Sequence, residues 1–239
     1  MKFDVAPHET WVGFYKMPNA IAALNRIKLK LSQVEFYPLP EDVLRFMTVD
    51  LSKVRYVLVG QDPYSSYDEK DAHPQATGRS FEVYELIGKT WDYKFKQRSL
   101  QNIIKAVYFE QTGKVATIDE LRKLIMSGSF ALAPPSAWFD SLEKQGVLFL
   151  NATLTVPPNS PGEHHELWKC YRQRIVEYIE KENPRARWVI WGNDAEKLIG
   201  DLLSPQTRGN AITRCHPRLD RFVQDSGMGD MTVDWTGLS

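Results

Sequence analysis

Four short runs of apolar residues divide this chain, and longer stretches with helical periodicity lie between them. The runs occupy 54–59, 146–151 ("GVLFLN"), 187–192 ("RWVIWG") and 210–217 ("NAITRCHP"). The first run has no polar alternation, which is typical of a central strand that is covered on both faces in a parallel sheet. The pattern therefore predicts four strands, the first of them fully buried.

The stretches between the runs carry apolar residues at helical spacing. They predict helices over 20–34, 99–111, 166–182 and 193–203, a short helix in "PEDVLRFM" and a helix in "TIDELRKLIMSG". In the last of these, Thr117 and Glu120 have the spacing of a capping box. Strands that alternate with helices predict an α/β fold, a single domain with a central four-stranded parallel β-sheet flanked by helices. We expect one domain over residues 1–239, with a helical N-terminal part at 1–50 and the functional core at 51–239.

Each of the four runs ends in polar residues. These residues are Gln61 and Asp62 after the first run, Asn151 at the end of the second, Asn193 after the third and His216 in the fourth. The carboxyl ends of parallel strands open on one edge of a sheet, where open α/β sheets bind their ligands. The pattern therefore predicts that these side chains meet at one site.

Each of these residues also has an ordinary structural explanation when it is taken alone. Asp62 precedes Pro63, a pair that often opens a turn, Asn151 would be a turn residue, and His216 would be a capping or surface histidine. Their recurrence at four strand ends favours a shared site. With Tyr64 and Phe81 nearby in sequence, we expect a pocket that stacks a flat ring and reads its polar edge.

The charges of the chain cancel, with 30 lysines and arginines against 30 aspartates and glutamates. The whole molecule therefore exerts no net attraction on nucleic acid or on an anionic membrane, and a polyanion would need a local patch. Two basic clusters flank the expected site, Arg208, Arg214, Arg218 and Arg221 against Asp220 alone, and Lys94, Lys96 and Arg98. Either cluster could be a solvated surface, but their position favours contacts with phosphate.

Only two cysteines occur, Cys170 and Cys215, which excludes a disulfide framework and a four-thiolate metal site within the chain. We expect a reducing compartment and neither a metal nor another cofactor. The chain shows no apolar signal core at its beginning and no stretch long enough for a membrane span. These features predict a soluble monomer in the cytoplasm, or in the nucleus if the source is eukaryotic, with no membrane partner.

Three sequence motifs resemble those of a known family, the archetypal family 1 branch of the uracil-DNA glycosylases, which excise uracil from DNA. They are "GQDPY" (60–64), "GVLFLNATLTV" (146–156) and "HPRLDRF" (216–222). Between and after them, "RSLQNI" (98–103), "WVIWGNDAEK" (188–197) and "MTVDW" (231–235) resemble family segments in the same order. The resemblance covers nearly everything from about residue 50 onward. It implies a uracil-DNA glycosylase-like fold and removal of flipped-out uracil as a step of base excision repair.

The resemblance also implies roles for the catalytic residues. Asp62 would position and polarise the attacking water and stabilise positive charge on the sugar, as a carboxylate does in glycoside hydrolysis. His216 would donate a hydrogen bond to O2 of the departing uracil anion, together with backbone N–H groups around Gln61.

A further set of residues would recognise the base and the DNA. Asn151 would read the uracil edge, Tyr64 would exclude the methyl group of thymine, and Phe81 would stack on the base. The implied DNA contacts are Ser99, Asn193, Arg218, Leu219 and Arg221. The implied partners are single- and double-stranded DNA that contains uracil, and protein inhibitors of the family.

The sequence departs from the family pattern in the regions that handle DNA. Ser65 replaces a histidine after GQDPY, and the following segment is longer and acidic, with Asp68, Glu69 and Asp71. This insertion is either a solvated surface loop or a partner-binding element. The loop after His216 is shortened, so that Leu219 is the expected wedge and Asp220 stands where a serine is expected.

These departures leave two alternatives to the enzyme. One is a non-catalytic DNA-binding or scaffold protein of the same fold, although Asp62, Asn151 and His216 are all present. The other is an unrelated nucleotide or phosphate binder, but neither GxGxxG nor GxxxxGK[ST] follows the first apolar run.

Overall fold

A computed structural model describes residue 3 and residues 5–239 of the chain. In this part of the chain, six strands form two sheets. They are β1 (Tyr56–Gly60), β2 (Tyr67–Asp68), β3 (His73–Pro74), β4 (Val147–Asn151), β5 (Arg187–Trp191) and β6 (Ile212–Arg214). The larger sheet has the order β4-β1-β5-β6 and all its pairs are parallel. The predicted α/β fold with a central four-stranded parallel sheet is confirmed.

Eight α-helices surround this sheet in the described residues. They are α1 (Val12–Tyr15), α2 (Pro18–Leu31), α3 (Arg98–Thr112), α4 (Ile118–Met126), α5 (Pro135–Lys144), α6 (His165–Glu182), α7 (Asn193–Ile199) and α8 (Pro205–Gly209). The capping box predicted for α4 is present, because Thr117 Oγ1 accepts from Glu120 N and the Glu120 carboxylate accepts from Thr117 N. The short helix predicted in "PEDVLRFM" is wrong, since this segment forms two 3₁₀ turns, Pro40–Asp42 and Arg45–Thr48.

Alternate residues of β1 supply two separate hydrophobic cores. Val57 and Val59 face the core that contains α2 and α6, whereas Tyr56 and Leu58 face the core that contains α3 and α5. All five residues of β1 and all five of β4 are buried. Full burial of one aliphatic side chain of this size contributes about 1.5–3 kcal/mol, so the two cores fix the strands tightly.

The register of the sheet brings the ends of β1 and β4 to the same level. Gly60 pairs with Asn151, and the pairing continues beyond the strands, where Ala152 N donates to Gly60 O (2.8 Å) and Thr153 N donates to Gln61 O (3.0 Å). The polar residues that follow these strands are therefore held side by side at the carboxyl edge of the sheet.

None of the helices in the described part of the chain combines the length and the apolar character that crossing a membrane requires.

Candidate active site

A pocket of about 390 Å³ opens at the carboxyl edge of the sheet. The predicted site residues that line it are Gln61, Asp62, Tyr64, Phe81, Ser99, Asn151, His216 and Arg218. A second pocket of about 350 Å³ shares Gln61, His216 and Arg218 with the first and is also lined by Asn193, Leu219 and Arg221. The structure thus brings all the predicted site residues to two adjoining pockets.

Asp62 lies in the wall of the first pocket with a side chain that is only 9% exposed. Its Oδ2 atom accepts a hydrogen bond from the backbone N–H of Gly162 at 2.6 Å. Burial raises the pKa of Asp62 above its ordinary value, and the negative charge of Asp194 adds to this, while the Gly162 N–H and the His165 ring act in the opposite direction. Among the described residues, Oδ1 has no protein donor, so it remains an acceptor for a ligand or a water molecule.

Asn151 is buried beside the backbone of the neighbouring strand. Its Oδ1 atom lies 2.5 Å from the position that a Cβ atom on Gly60 would occupy. Only a glycine at this position leaves room for the amide, because a real Cβ would displace it. Within the described part of the chain, the amide makes no hydrogen bond to the protein, so its donor and its acceptor are both available to a ligand.

The ring of His216 has a defined tautomer. Its Nδ1 atom lies 3.0 Å from the backbone nitrogen of Arg218, and because that N–H can only donate, Nδ1 is the acceptor. Burial lowers the pKa of His216 and the Arg218 charge lowers it further, while Asp194 acts in the opposite direction. The imidazole is therefore neutral at neutral pH and carries its proton on Nε2. Gly192, at φ +108°, leaves room for the ring, since a Cβ atom there would lie 2.8 Å from His216 Cδ2.

Two aromatic side chains complete the pocket. Phe81 has left-handed backbone geometry, with φ +67°, and its ring centroid lies 5.7 Å from that of Trp191. Burial raises the pKa of the Tyr64 hydroxyl well above its ordinary value, so Tyr64 stays a neutral phenol. A non-glycine residue in this backbone region costs on the order of 1–3 kcal/mol, which means that surrounding contacts hold Phe81 in place.

Those contacts come from a buried ionic network on both sides of Phe81. Arg79 pairs with Glu82 (3.0 Å), Glu143 (2.5 Å) and Asp140 (2.7 Å). Burial alone would lower the pKa of Arg79, but the three carboxylates raise it overall. Ser80, between Arg79 and Phe81, donates from Oγ to the carbonyl oxygen of Leu58 in β1 at 3.2 Å. The loop that carries Phe81 is thus tied to the central strand and to α5.

The number of basic residues near the site is larger than the number whose charge is available to DNA phosphates. Three of the arginines are paired with carboxylates: Arg98 with Asp220, Arg208 with Asp201 and Glu196, and Arg214 with Asp225 and Asp230. Arg218 and Arg221 are exposed and, in the part of the chain that the structure describes, neither forms an ion pair. Fewer basic side chains than the sequence suggested are therefore available to bind phosphate, and those that remain form a smaller cationic rim beside the pocket.

The shortened loop after His216 is a tight, anchored turn. Leu219 N donates to His216 O at 3.0 Å, and the buried side chain of Asn102 donates to Pro217 O at 2.7 Å. Leu219 stays 46% exposed, beside the pocket. The shorter turn therefore still presents an apolar side chain at the site.

The acidic insertion forms a small hairpin. Strands β2 and β3 pair antiparallel, and Tyr67 of β2 stacks on Tyr37 with a centroid distance of 5.9 Å. Glu69 and Asp71 are exposed on the hairpin, and the pKa of Glu85 is raised mainly by burial, with a smaller contribution from the carboxylate of Asp68. Its acidic side chains are thus partly solvated and partly directed at the segment that leads to α3.

Sequence reasoning did not identify three residues that shape the site, Gly162, His165 and Arg79. Gly162 lies in the turn before α6 and His165 is the first residue of α6, and both contact Asp62, while Arg79 anchors the Phe81 loop. The paired histidines at 164 and 165 are visible in the sequence, but nothing in their spacing indicates which ring faces the pocket.

The fold and the pocket define an α/β protein with a carboxylate, an amide, a neutral histidine and two aromatic rings at the carboxyl edge of its sheet. The model of the uracil DNA glycosylase superfamily matches residues 46–225. The chain belongs to the uracil DNA glycosylase superfamily.

Relatives and solved structures agree with this assignment. The chain is 28% identical over 182 residues to a uracil-DNA glycosylase of Lachnoclostridium phytofermentans, covering 75% of this chain and 68% of that protein. It is 25% identical over 247 residues to that of Tropheryma whipplei (strain Twist), covering 95% and 93%. The wild-type UNG of Nitratifractor salsuginis has the same fold, with a TM-score of 0.70, 17% identity and coverage of 97% and 92%. A variant of mimivirus UNG in complex with UGI gives a TM-score of 0.66, 24% identity and coverage of 88% and 70%.

Proposed function

We propose that this protein is a monofunctional uracil-DNA glycosylase, which hydrolyses the N-glycosidic bond of a uracil flipped out of DNA, releases free uracil and leaves an abasic site. The observation that carries this proposal is the convergence of Asp62, Asn151 and a neutral His216 on one pocket. Membership of the superfamily supports the same reaction.

Asp62 supplies the charge that the reaction needs on the sugar. Breaking the bond between sugar and base develops positive charge at the sugar, and a carboxylate in a water-poor pocket stabilises that charge strongly. Since Oδ2 is held by Gly162, the free Oδ1 atom is placed to hold the attacking water. Burial makes this carboxylate a good acceptor, because its raised pKa strengthens its hold on a proton of that water.

His216 stabilises the leaving group. Uracil departs as an anion with much of its charge on O2, and the Nε2–H of the neutral imidazole donates to that oxygen. The lowered pKa of His216 keeps the ring neutral, so it donates a hydrogen bond without transferring a proton. Donors that are fixed before the reaction need no reorganisation when the charge develops.

Asn151 and Tyr64 select the base. The Asn151 amide donates to O4 of uracil and accepts from N3–H, and cytosine presents the reverse pattern, an amino group and a bare N3. Tyr64 occupies the space that the methyl group of thymine requires. A buried polar edge that meets the wrong pattern leaves unpaired groups, which costs about 1–3 kcal/mol for each group.

DNA binds along the rim of the two pockets. Arg218 and Arg221 neutralise phosphates, Ser99 and Asn193 contact the backbone, and Leu219 enters the space that the flipped base leaves. Extrusion is required because the bond to be cleaved is not accessible inside the base stack. The substrates are single- and double-stranded DNA that contains uracil, and the protein acts as a monomer. We place it where cellular DNA is found, in bacterial cytoplasm or in a nucleus.

A protein inhibitor is a further partner that we propose for this site. One of the similar structures is a mimivirus UNG in complex with UGI. Titration of the excision activity with that protein tests this partner, and inhibition at a one-to-one ratio is expected.

A gel assay tests the function directly. A labelled single-stranded oligonucleotide with one uracil is incubated with the protein in EDTA, and alkali then cleaves any abasic site. We expect cleavage at the uracil and none in matched oligonucleotides that carry thymine or cytosine. The Asp62→Asn variant, purified in parallel, controls for a contaminating enzyme. Absence of cleavage with the wild type would favour the non-catalytic alternative, a DNA-binding or scaffold protein.

A further inference from the structure

A second histidine lies against the catalytic carboxylate. His165 is the first residue of α6, and its Nε2 atom lies 3.6 Å from Oδ2 of Asp62 and 3.5 Å from Nε2 of Gln61. Its side chain is 24% exposed, at the border of the pocket. The mechanism described above uses His216 and leaves His165 without a role.

Buried polar contacts fix the turn that presents His165. Arg172 donates from one nitrogen to the carbonyl oxygens of Ala152 (3.3 Å) and His165 (3.2 Å), which ties the start of α6 to the segment after Asn151. Thr155 Oγ1 lies 2.9 Å from Nδ1 of His164 and accepts from Trp168 Nε1 at 2.7 Å. The main chain at His165 is thus placed by contacts that do not involve Asp62.

The two neighbours of His165 Nε2 favour opposite protonation states of this nitrogen. When Nε2 carries a proton, it faces the Asp62 carboxylate favourably. When Nε2 is bare, its lone pair accepts from the Gln61 amide and opposes the carboxylate. Among the described residues, the titratable groups that face Asp62 are His165 from α6 and Asp194 from the first turn of α7, and Asp194 disfavours the ionised carboxylate. His165 is therefore the side chain that, together with the backbone N–H of Gly162, offsets the effects of burial and of Asp194 on Asp62.

We propose that His165 is a positioning residue, which holds the Asp62 carboxylate charged and turned so that Oδ1 faces the sugar and its attacking water. The inference rests on the proposed glycosylase function for its catalytic consequence. The contact itself is a property of the folded protein and is measured without substrate.

Three variants separate this role from a structural one. His165→Ala removes the ring and its polar contacts, His165→Gln keeps a side-chain N–H donor that cannot take up a proton, and Lys169→Ala removes a positive charge from an exposed position one turn further along α6. Single-turnover rates are measured with excess enzyme between pH 4 and 9, and thermal unfolding checks that each variant folds.

For His165→Ala we expect a loss of about tenfold or more in the single-turnover rate. We also expect the acid limb of the pH–rate profile to move to higher pH, because the His165 ring lowers the pKa of Asp62 and its removal raises that pKa further. For His165→Gln we expect the rate near pH 8 to be partly restored while the acid limb stays displaced. Lys169→Ala should match the wild type in its single-turnover rate and in the position of its acid limb. Equal acid limbs in the wild type and His165→Ala would overturn the proposal.

A measurement without DNA distinguishes failure of this proposal from failure of the proposed function. The carboxyl carbon of Asp62 is titrated by ¹³C NMR in the wild type and in His165→Ala, with Asp62→Asn used to assign its signal. We expect the Asp62 pKa to be higher in His165→Ala, and an unchanged titration would overturn the proposal. A shifted titration in a protein that never excises uracil would support the pairing and contradict the glycosylase function.

Discussion

Asp62 carries its charge in surroundings that disfavour it. The side chain is nearly buried, and burial raises its pKa above the ordinary value of 3.8. One backbone N–H and one histidine partly offset this effect. The same desolvation that we propose makes the carboxylate effective against a cationic sugar therefore costs folding stability.

This cost predicts a dependence of stability on pH. Because the folded state binds a proton at Asp62 more tightly than the unfolded state, the penalty is complete above the folded pKa and disappears as the pH falls below 3.8. We expect Asp62→Asn to increase the free energy of unfolding at pH 7, on the order of 1 kcal/mol, the usual scale for one substitution. The advantage should shrink toward pH 3. Urea unfolding at both pH values checks this, and an equal advantage at both would contradict it.

In the proposed mechanism, base selectivity is divided between Asn151 and Tyr64. Asn151→Asp should replace a donor with an acceptor, which weakens uracil excision and permits slow excision of cytosine. Tyr64→Ala should admit the methyl group of thymine, where a gap of this size changes discrimination by about 10–200-fold. Product release from oligonucleotides with each of the three bases measures both effects. Unchanged uracil-only activity in both variants would mean that the base edge is read elsewhere.

At the residue scale, the sequence predicted the groups that end strands and did not predict those that support them. Asp62, Asn151 and His216 follow or end apolar runs, so their meeting follows from parallel strands. Gly162 lies 100 positions from Asp62, and its contact depends on how the segment after β4 turns into α6. No periodicity in the sequence encodes that turn.

The strands and long helices were predictable because their buried faces require apolar residues at regular positions in the sequence. The strand β1 and the helix α6 lie within two residues of their predicted bounds. The helix α5 was missed, since it begins at Pro135 directly after a second proline and carries Trp138 and Phe139 in place of a simple apolar stripe. The hairpin of β2 and β3 has strands of two residues, too short to show alternation.

The segment that carries Phe81 depends on an ion network rather than on regular structure. Arg79→Met would remove the cation that Glu82 and Glu143 share and leave Glu82 paired with Arg45 alone, and breaking a buried pair costs about 3–5 kcal/mol at most. We expect lower stability by urea unfolding and slower uracil excision, because Phe81 loses its anchored backbone. Asp140→Asn is the matched control, since Asp140 is 54% exposed and its loss should cost less than about 1 kcal/mol. Equal losses in the two variants would contradict this account.

At the scale of the whole molecule, a neutral protein binds a polyanion through local charge. The chain has no net charge, and ion pairs occupy much of the basic cluster near the site. The sequence therefore indicated the correct region, but it could not show which arginines remain free, because their partners are set by the fold.

The salt dependence of DNA binding tests which arginines contact phosphates. We expect Arg218→Ala and Arg221→Ala each to weaken binding and to reduce the slope of log K against log salt by about one unit, since each lost phosphate contact releases one fewer counterion. Arg208→Ala is the control, because Arg208 is occupied by Asp201 and Glu196. Fluorescence anisotropy over a range of salt concentrations measures the slopes. An equal reduction for all three variants would contradict the assignment.

The central claim is that the buried carboxylate of Asp62 drives cleavage of the bond between uracil and its sugar. Its most direct test is the single-turnover rate of Asp62→Asn on a uracil-containing oligonucleotide with enzyme in excess, together with the Kd for the same DNA. We predict a rate about 10²–10⁴-fold below that of the wild type, with a Kd that changes by less than about threefold. A variant that excises uracil at close to the wild-type rate would contradict the claim and reduce Asp62 to a residue that opens a turn.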